Sequence, residues 1–127
     1  MIVVDASVLA DAICDAGGRG QAARSALAGR RIQVPDLAYI EVASVIRGLG
    51  RAAPSKVAGW TADLVDSPWT PHSGRGLVGR ALELRHNLSA YDATYVALAE
   101  ALDCPLLLSD LKAGRGAVGA RCQILTP

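Results

Sequence analysis

The chain has 127 residues, of which 51% are hydrophobic and 20% charged, and its formal net charge is +1. This length and composition indicate one globular domain with a real core and exclude a disordered chain. The near-neutral charge excludes a general attraction for polyanions, and the absence of Phe disfavours a surface for stacking nucleic-acid bases.

The predicted elements alternate between strands and helices. A buried strand at 2–4 ends at Asp5, and Ser7 is the expected N-cap of a helix that runs to about Cys14. Further helices are predicted at 20–27, from a cap at Asp36 to Gly48 or Gly50, and at 54–66, 75–86 and 89–102. Further strands are predicted at 30–34, 68–71, 105–108 and 121–125, with the proline-containing 68–71 short or at an edge. Between the last two strands, 112–119 is glycine-rich and loosely helical at best.

This alternation predicts an α/β fold. We expect a single domain over 1–127, with a mainly parallel central sheet of about four or five strands flanked by helices.

The three cysteines are odd in number, widely spaced and without a CxxC pair, which suggests neither a disulfide framework nor a zinc site. No apolar run approaches membrane-spanning length, and no basic leader precedes an apolar stretch at the N-terminus. A soluble, cytoplasmic protein without a membrane partner is therefore expected.

Two acids follow predicted strands. Asp5 comes directly after the first strand, and Asp110 follows the apolar run 106–108 and Ser109. Each acid by itself could serve a turn or a helix start. Because parallel strands place their carboxyl ends at one edge of a sheet, the two acids together indicate a site there.

Glu41 falls among apolar residues of its predicted helix. Its neighbours three and four positions away are Leu37, Ala38, Ser44 and Val45. An unpaired buried acid would cost several kcal/mol, so Glu41 needs a cation, a proton or a metal ion. An ion pair with an arginine, or a helix turned so that Glu41 faces water, are the alternatives to a functional role.

Asp92 has a ready structural explanation. Ser89 and Asp92 have the spacing of a capping box, which alone would account for the acid. The two roles are compatible, because a helix start at the strand ends can also direct a carboxylate at a metal ion.

Four converging carboxylates would repel one another unless a cation neutralised them. Oxygen ligands without Cys or His favour Mg²⁺, with Mn²⁺ as a possible substitute, and such ions assist hydrolysis of phosphodiesters. Ser7 and Ser109 could orient water or ligands, or could simply cap and turn the chain.

These residues resemble a known family. The segments 2–8, Glu41 after Pro35-Asp36, 88–99 and 107–110 together look like a PIN domain, and Ser-Ala-Tyr-Asp-Ala at 89–93 looks like the VapC toxins of type II toxin–antitoxin pairs. The resemblance covers nearly the whole chain in order.

The resemblance implies a Mg²⁺-dependent ribonuclease with Asp5, Glu41, Asp92 and Asp110 as its catalytic and metal-binding acids. It also implies a homodimer, and a VapB-type antitoxin that occupies the active-site groove, often with an arginine among the acids.

The segment after Asp110 departs from the family pattern because it is unusually glycine-rich. Lys112 and Arg115 could contact RNA phosphates there, or could lie in a solvated loop. The rival function is a catalytically silent PIN-like module that binds RNA or a partner protein and uses the acids as caps and ion pairs.

Overall fold

In the computed structural model, which describes residues 1–109 and 119–127, a parallel sheet runs through the centre of the molecule. Its five described strands are Ile2–Val4 (β1), Ile32–Pro35 (β2), Thr70–His72 (β3), Leu106–Leu107 (β4) and Ile124–Leu125 (β5). Their spatial order is β3-β2-β1-β4-β5, and every neighbouring pair is parallel. The predicted α/β architecture with a parallel sheet is confirmed.

Six α-helices lie within the described residues. They are Ala6–Cys14 (α1), Gly18–Leu27 (α2), Leu37–Leu49 (α3), Val57–Val65 (α4), Val78–Glu83 (α5) and Ala90–Leu102 (α6). Short 3₁₀ turns at Pro54–Lys56 and Gly74–Leu77 lead into α4 and α5. The single helix predicted at 75–86 is therefore divided and shorter, because its glycines weaken the α-helical conformation. No helix in this part of the chain is long and apolar enough to cross a membrane.

The core is built around β1, the middle strand of the sheet. Ile2, Val3 and Val4 are each 0% exposed, because helices cover both faces of the sheet and other strands lie on both sides. α6 packs on β1 and β2, and an unbroken run from Ala93 to Ala99 on this helix is buried. By contrast β3 lies at the edge, as its proline predicts, because a proline nitrogen cannot donate to a further strand.

One helix start differs from the prediction. Asp5, rather than Ser7, is the N-cap of α1, and its carboxylate accepts the backbone N–H of Ser7. The helix begins directly after the strand, at Ala6, so that Ser7 already lies in its first turn. Asp36 holds the N-cap position of α3 but makes no capping hydrogen bond with its side chain.

Glu100 is a largely buried acid on α6. Its side chain is only 11% exposed, and Oε2 lies 2.7 Å from Nε of Arg80. Glu100 Oε1 accepts the backbone N–H of Arg121 at 2.6 Å, and Arg80 donates to the carbonyl of Gly119 at 2.9 Å. This network ties α5 and α6 to the chain that enters β5.

Candidate active site

Asp5 lies where β1 ends and α1 begins, at the carboxyl edge of the sheet. Its backbone N–H donates to the carbonyl of Leu107, which fixes the end of β1 against β4. Ser7 Oγ donates to Oδ2 of Asp5. Asp5 is therefore held both as a helix cap and by a side-chain hydroxyl.

The ends of β1 and β4 are joined through two serines. Oγ of Ser7 lies 2.6 Å from Oγ of Ser109, a residue 102 positions later that follows β4. Because the single hydroxyl proton of Ser7 is directed to Asp5, the Ser109 hydroxyl is the donor of this second bond. The chain of hydrogen bonds Ser109–Ser7–Asp5 restricts the orientation of the Asp5 carboxylate.

Glu41 lies on α3 at the margin of the buried face rather than in its middle. The fully or nearly buried residues of this helix are Ala38, Val42 and Ile46, whereas Glu41 is half-buried. Among residues 1–109 and 119–127, no arginine or lysine forms a salt bridge with Glu41. Its Oε1 instead accepts a 2.6 Å hydrogen bond from the hydroxyl of Tyr95 on α6.

Asp92 lies in the first turn of α6 and is exposed. Its backbone N–H donates to Oγ of the N-cap Ser89 at 3.1 Å, as the capping-box spacing predicts. The cap satisfies a backbone donor, and the Asp92 side chain lines a cleft together with Asp5 and Glu41.

Three of the predicted acids line one cleft of about 380 Å³. Asp5, Glu41 and Asp92 form its polar wall together with Ser7 and Ser109. The remaining lining residues are Ala6 and Val45. Carboxylates from a strand end and from two helices therefore meet although they are far apart in the chain.

Burial and mutual repulsion both act on these acids. Burial raises the pKa of Asp5, and the charge of Asp92 adds to the increase against the opposing hydrogen bond from Ser7. Burial likewise raises the pKa of Glu41, with Asp5 and Asp92 adding to it and the Tyr95 hydrogen bond opposing it. The cleft thus concentrates negative charge that a cation would stabilise.

Three predicted residues lie outside the described residues. They are Asp110, the expected fourth acid, and Lys112 and Arg115, the expected RNA contacts. The described chain reaches Ser109, which already lines the cleft.

The donor set fits a hard divalent cation. Carboxylate and hydroxyl oxygens line the cleft, and its described lining residues include no His or Cys. Within the described ranges, no three His, Cys, Asp or Glu side chains converge closely enough to enclose an ion. A Mg²⁺ ion here would therefore be held by one or two of these carboxylates and would keep several waters.

Tyr95 is a site residue that the sequence patterns did not single out. It is 0% exposed and contacts Glu41 across 54 positions of chain. Its signal in the sequence is its position three residues after Asp92, on the same side of a helix otherwise rich in Ala, Val and Leu. A buried tyrosine hydroxyl requires a partner, so such a residue beside an acid is a candidate for contact with the site.

The raised pKa of Asp5 predicts a pH-dependent stability of the metal-free protein. The folded-state pKa exceeds the ordinary aspartate value of 3.8, so the folded chain loses stability as the pH rises from that value through the raised one. Asp5→Asn removes this penalty and keeps a good N-cap. We measure urea midpoints in EDTA for Asp5→Asn and for the unmodified chain. We expect the midpoint of Asp5→Asn minus that of the unmodified chain to be larger at about pH 7 than at about pH 4. A difference that stays constant across this range would contradict the assignment.

Comparisons with known proteins agree on one family. The PIN domain profile matches residues 2–117. Ribonuclease VapC9 of Mycobacterium tuberculosis is 42% identical over 117 residues, covering 88% of this chain and 87% of the relative. Ribonuclease VapC1 of the same organism is 37% identical over 128 residues, covering 96% and 94%. A solved toxin–antitoxin complex from Klebsiella pneumoniae shares the fold, with a TM-score of 0.70 at 19% identity, and covers 100% of this chain and 98% of that one.

Proposed function

The chain belongs to the PIN domain family, and from this membership we propose that it is a metal-dependent endoribonuclease that acts as the toxin of a toxin–antitoxin pair. The observation that carries the proposal is the cleft in which Asp5, Glu41 and Asp92 meet. Asp5 lies at the junction of β1 and α1, Glu41 on α3 and Asp92 on α6. The chain is 42% identical to a ribonuclease over most of its length.

The three carboxylates would hold Mg²⁺, or Mn²⁺ in its place, with Asp110 as the fourth acid expected from the sequence. Without a cation, their combined charge would repel the phosphate of an RNA chain that entered the cleft. The chemistry that a bound Mg²⁺ supplies is neutralisation of the charge that develops on the phosphoryl oxygens during hydrolysis.

The serines support this role by restraining Asp5. Ser7 donates to the Asp5 carboxylate, and Ser109 is bonded to Ser7 at 2.6 Å. Because one oxygen of Asp5 is engaged by the Ser7 hydroxyl, the carboxylate is oriented before a ligand arrives, which reduces the cost of binding. Lys112 and Arg115 remain candidates for contacts with RNA phosphates.

The proposed partners follow from the same family. The Klebsiella pneumoniae neighbour is a toxin–antitoxin complex, and we propose that this chain likewise binds a VapB-type antitoxin. An antitoxin arginine placed among Asp5, Glu41 and Asp92 would supply a positive charge, which none of the described lining residues carries. We also propose a homodimer in the cytoplasm, where RNA substrates are found.

Removal of the metal is the direct test. Purified protein, free of antitoxin, is incubated with total RNA in Mg²⁺, in EDTA, and in EDTA followed by excess Mg²⁺. We expect cleavage in Mg²⁺, at least a hundredfold less in EDTA, and recovery on readdition, because the acids require a cation before a phosphate can approach. Mapping the cleaved ends would identify the RNA.

Two outcomes would contradict the proposal. Cleavage that continues undiminished in EDTA would exclude a metal-dependent site. Binding of RNA without cleavage in either Mg²⁺ or Mn²⁺ would favour the silent binding module instead.

A further inference from the structure

Tyr95 joins the helices that carry two of the three acids, Glu41 and Asp92. It lies on α6, one turn after Asp92, and is completely buried. Its hydroxyl donates to Oε1 of Glu41 on α3 at 2.6 Å. One buried hydroxyl therefore joins the two helices that carry Glu41 and Asp92.

The hydrogen bond has a consequence for Glu41. Its Oε1 is engaged by Tyr95, and its Oε2 accepts no hydrogen bond within the part of the chain that the structure describes. One oxygen is thus held by the protein while the other is left for a ligand in the cleft. A phenylalanine would fill the same space in α6 but would leave the carboxylate free to change rotamer.

Burial strengthens the restraint. A hydrogen bond between a buried phenol and a carboxylate is charge-assisted, and the surrounding apolar core limits competition from water. The ring itself cannot move far, because the side chain is 0% exposed within packed helices. The hydrogen bond from Tyr95 therefore holds the Glu41 carboxylate in a fixed position relative to α6.

We propose that Tyr95 is a positioning residue for the divalent cation, which orients Glu41 relative to Asp5 and Asp92 through its hydrogen bond to Oε1. This inference rests on the proposed metal-dependent function. It assigns a role to a residue that need not touch the ion or the RNA.

The test measures Mn²⁺ binding by titration calorimetry. Tyr95→Phe is compared with the unmodified chain and with Tyr39→Phe, a matched control on α3 whose hydroxyl lies 3.5 Å from the carbonyl of Trp69. We expect about tenfold weaker Mn²⁺ binding for Tyr95→Phe and less than about twofold change for the control. High Mn²⁺ should restore most RNA cleavage to Tyr95→Phe, since all the ligands remain.

A double variant separates positioning from packing. In the Glu41→Gln background, Tyr95→Phe should weaken Mn²⁺ binding no further, because the carboxylate it orients is gone. An equal loss of Mn²⁺ affinity in both backgrounds would overturn the proposal. Failure of Tyr95→Phe to fold would also overturn it, because the hydroxyl would then stabilise the core rather than the site.

Mn²⁺ binding by the unmodified chain distinguishes a wrong role for Tyr95 from a wrong metal dependence. Normal Mn²⁺ binding by both the unmodified chain and Tyr95→Phe overturns only the role of Tyr95. An unmodified chain that binds no Mn²⁺ overturns the metal dependence and the role of Tyr95 together.

Discussion

Asp5→Asn is expected to lower the rate of Mg²⁺-dependent RNA cleavage about a thousandfold, which corresponds to about 4 kcal/mol in the activation free energy. The substitution removes one charge from the cleft at the point where β1 and β4 end side by side. The fold should persist, because Asn caps a helix as well as Asp does and the side chains are nearly the same shape. The loss should therefore come from the site rather than from unfolding.

The measurement is the initial rate of cleavage of the mapped RNA at saturating Mg²⁺. Asp66→Asn is the matched control, because Asp66 is an exposed aspartate at the end of α4 and does not line the cleft. Its rate should stay within about twofold of the unmodified chain. If Asp5→Asn cleaved RNA as fast as the control, Asp5 would be a helix cap and nothing more.

Glu41→Gln is expected to weaken Mn²⁺ binding about a hundredfold, or about 2.7 kcal/mol. Glutamine keeps the shape of the side chain and an acceptor for the Tyr95 hydroxyl, but it removes the negative charge. In EDTA the variant should be at least as stable as the unmodified chain, since burial and the charges of Asp5 and Asp92 both disfavour the Glu41 carboxylate.

Calorimetry and urea unfolding in EDTA measure the two effects separately. Glu83→Gln is the control, because the Glu83 side chain is 64% exposed and pairs with Arg80 away from the cleft. The opposite pattern, a large loss of stability with Mn²⁺ affinity intact, would indicate that Glu41 belongs to a buried ion pair.

The local patterns of the sequence account for the elements that bring the site together. Alternating apolar strands and helices predict the parallel sheet, and the β-branched run at 2–4 predicts its buried central strand. Ser89 is the cap of α6, as its spacing to Asp92 predicts, and the proline at 71 lies on an edge strand. These features depend on backbone geometry and hydrogen bonding over a few residues, so neighbouring residues suffice to predict them.

The positions of the acids at strand ends and on predicted helices extend this to the candidate site. Asp5, Glu41 and Asp92 were predicted to converge, and the structure places all three in one cleft. The sequence alone did not decide which group pairs with Glu41. Helical spacing specifies which residues share a face but not what packs against that face.

The tertiary structure decided the partners. Tyr95 reaches Glu41 across 54 positions, Ser109 reaches Ser7 across 102, and Glu100 is held by Arg80. These contacts depend on how α6 is placed relative to α3 and α5 and on how β4 aligns with β1. Such placements bring together segments that are far apart in the chain. Local spacing therefore determined which acids this protein carries to the sheet edge, whereas packing determined which hydroxyl and guanidinium groups hold its acids in place.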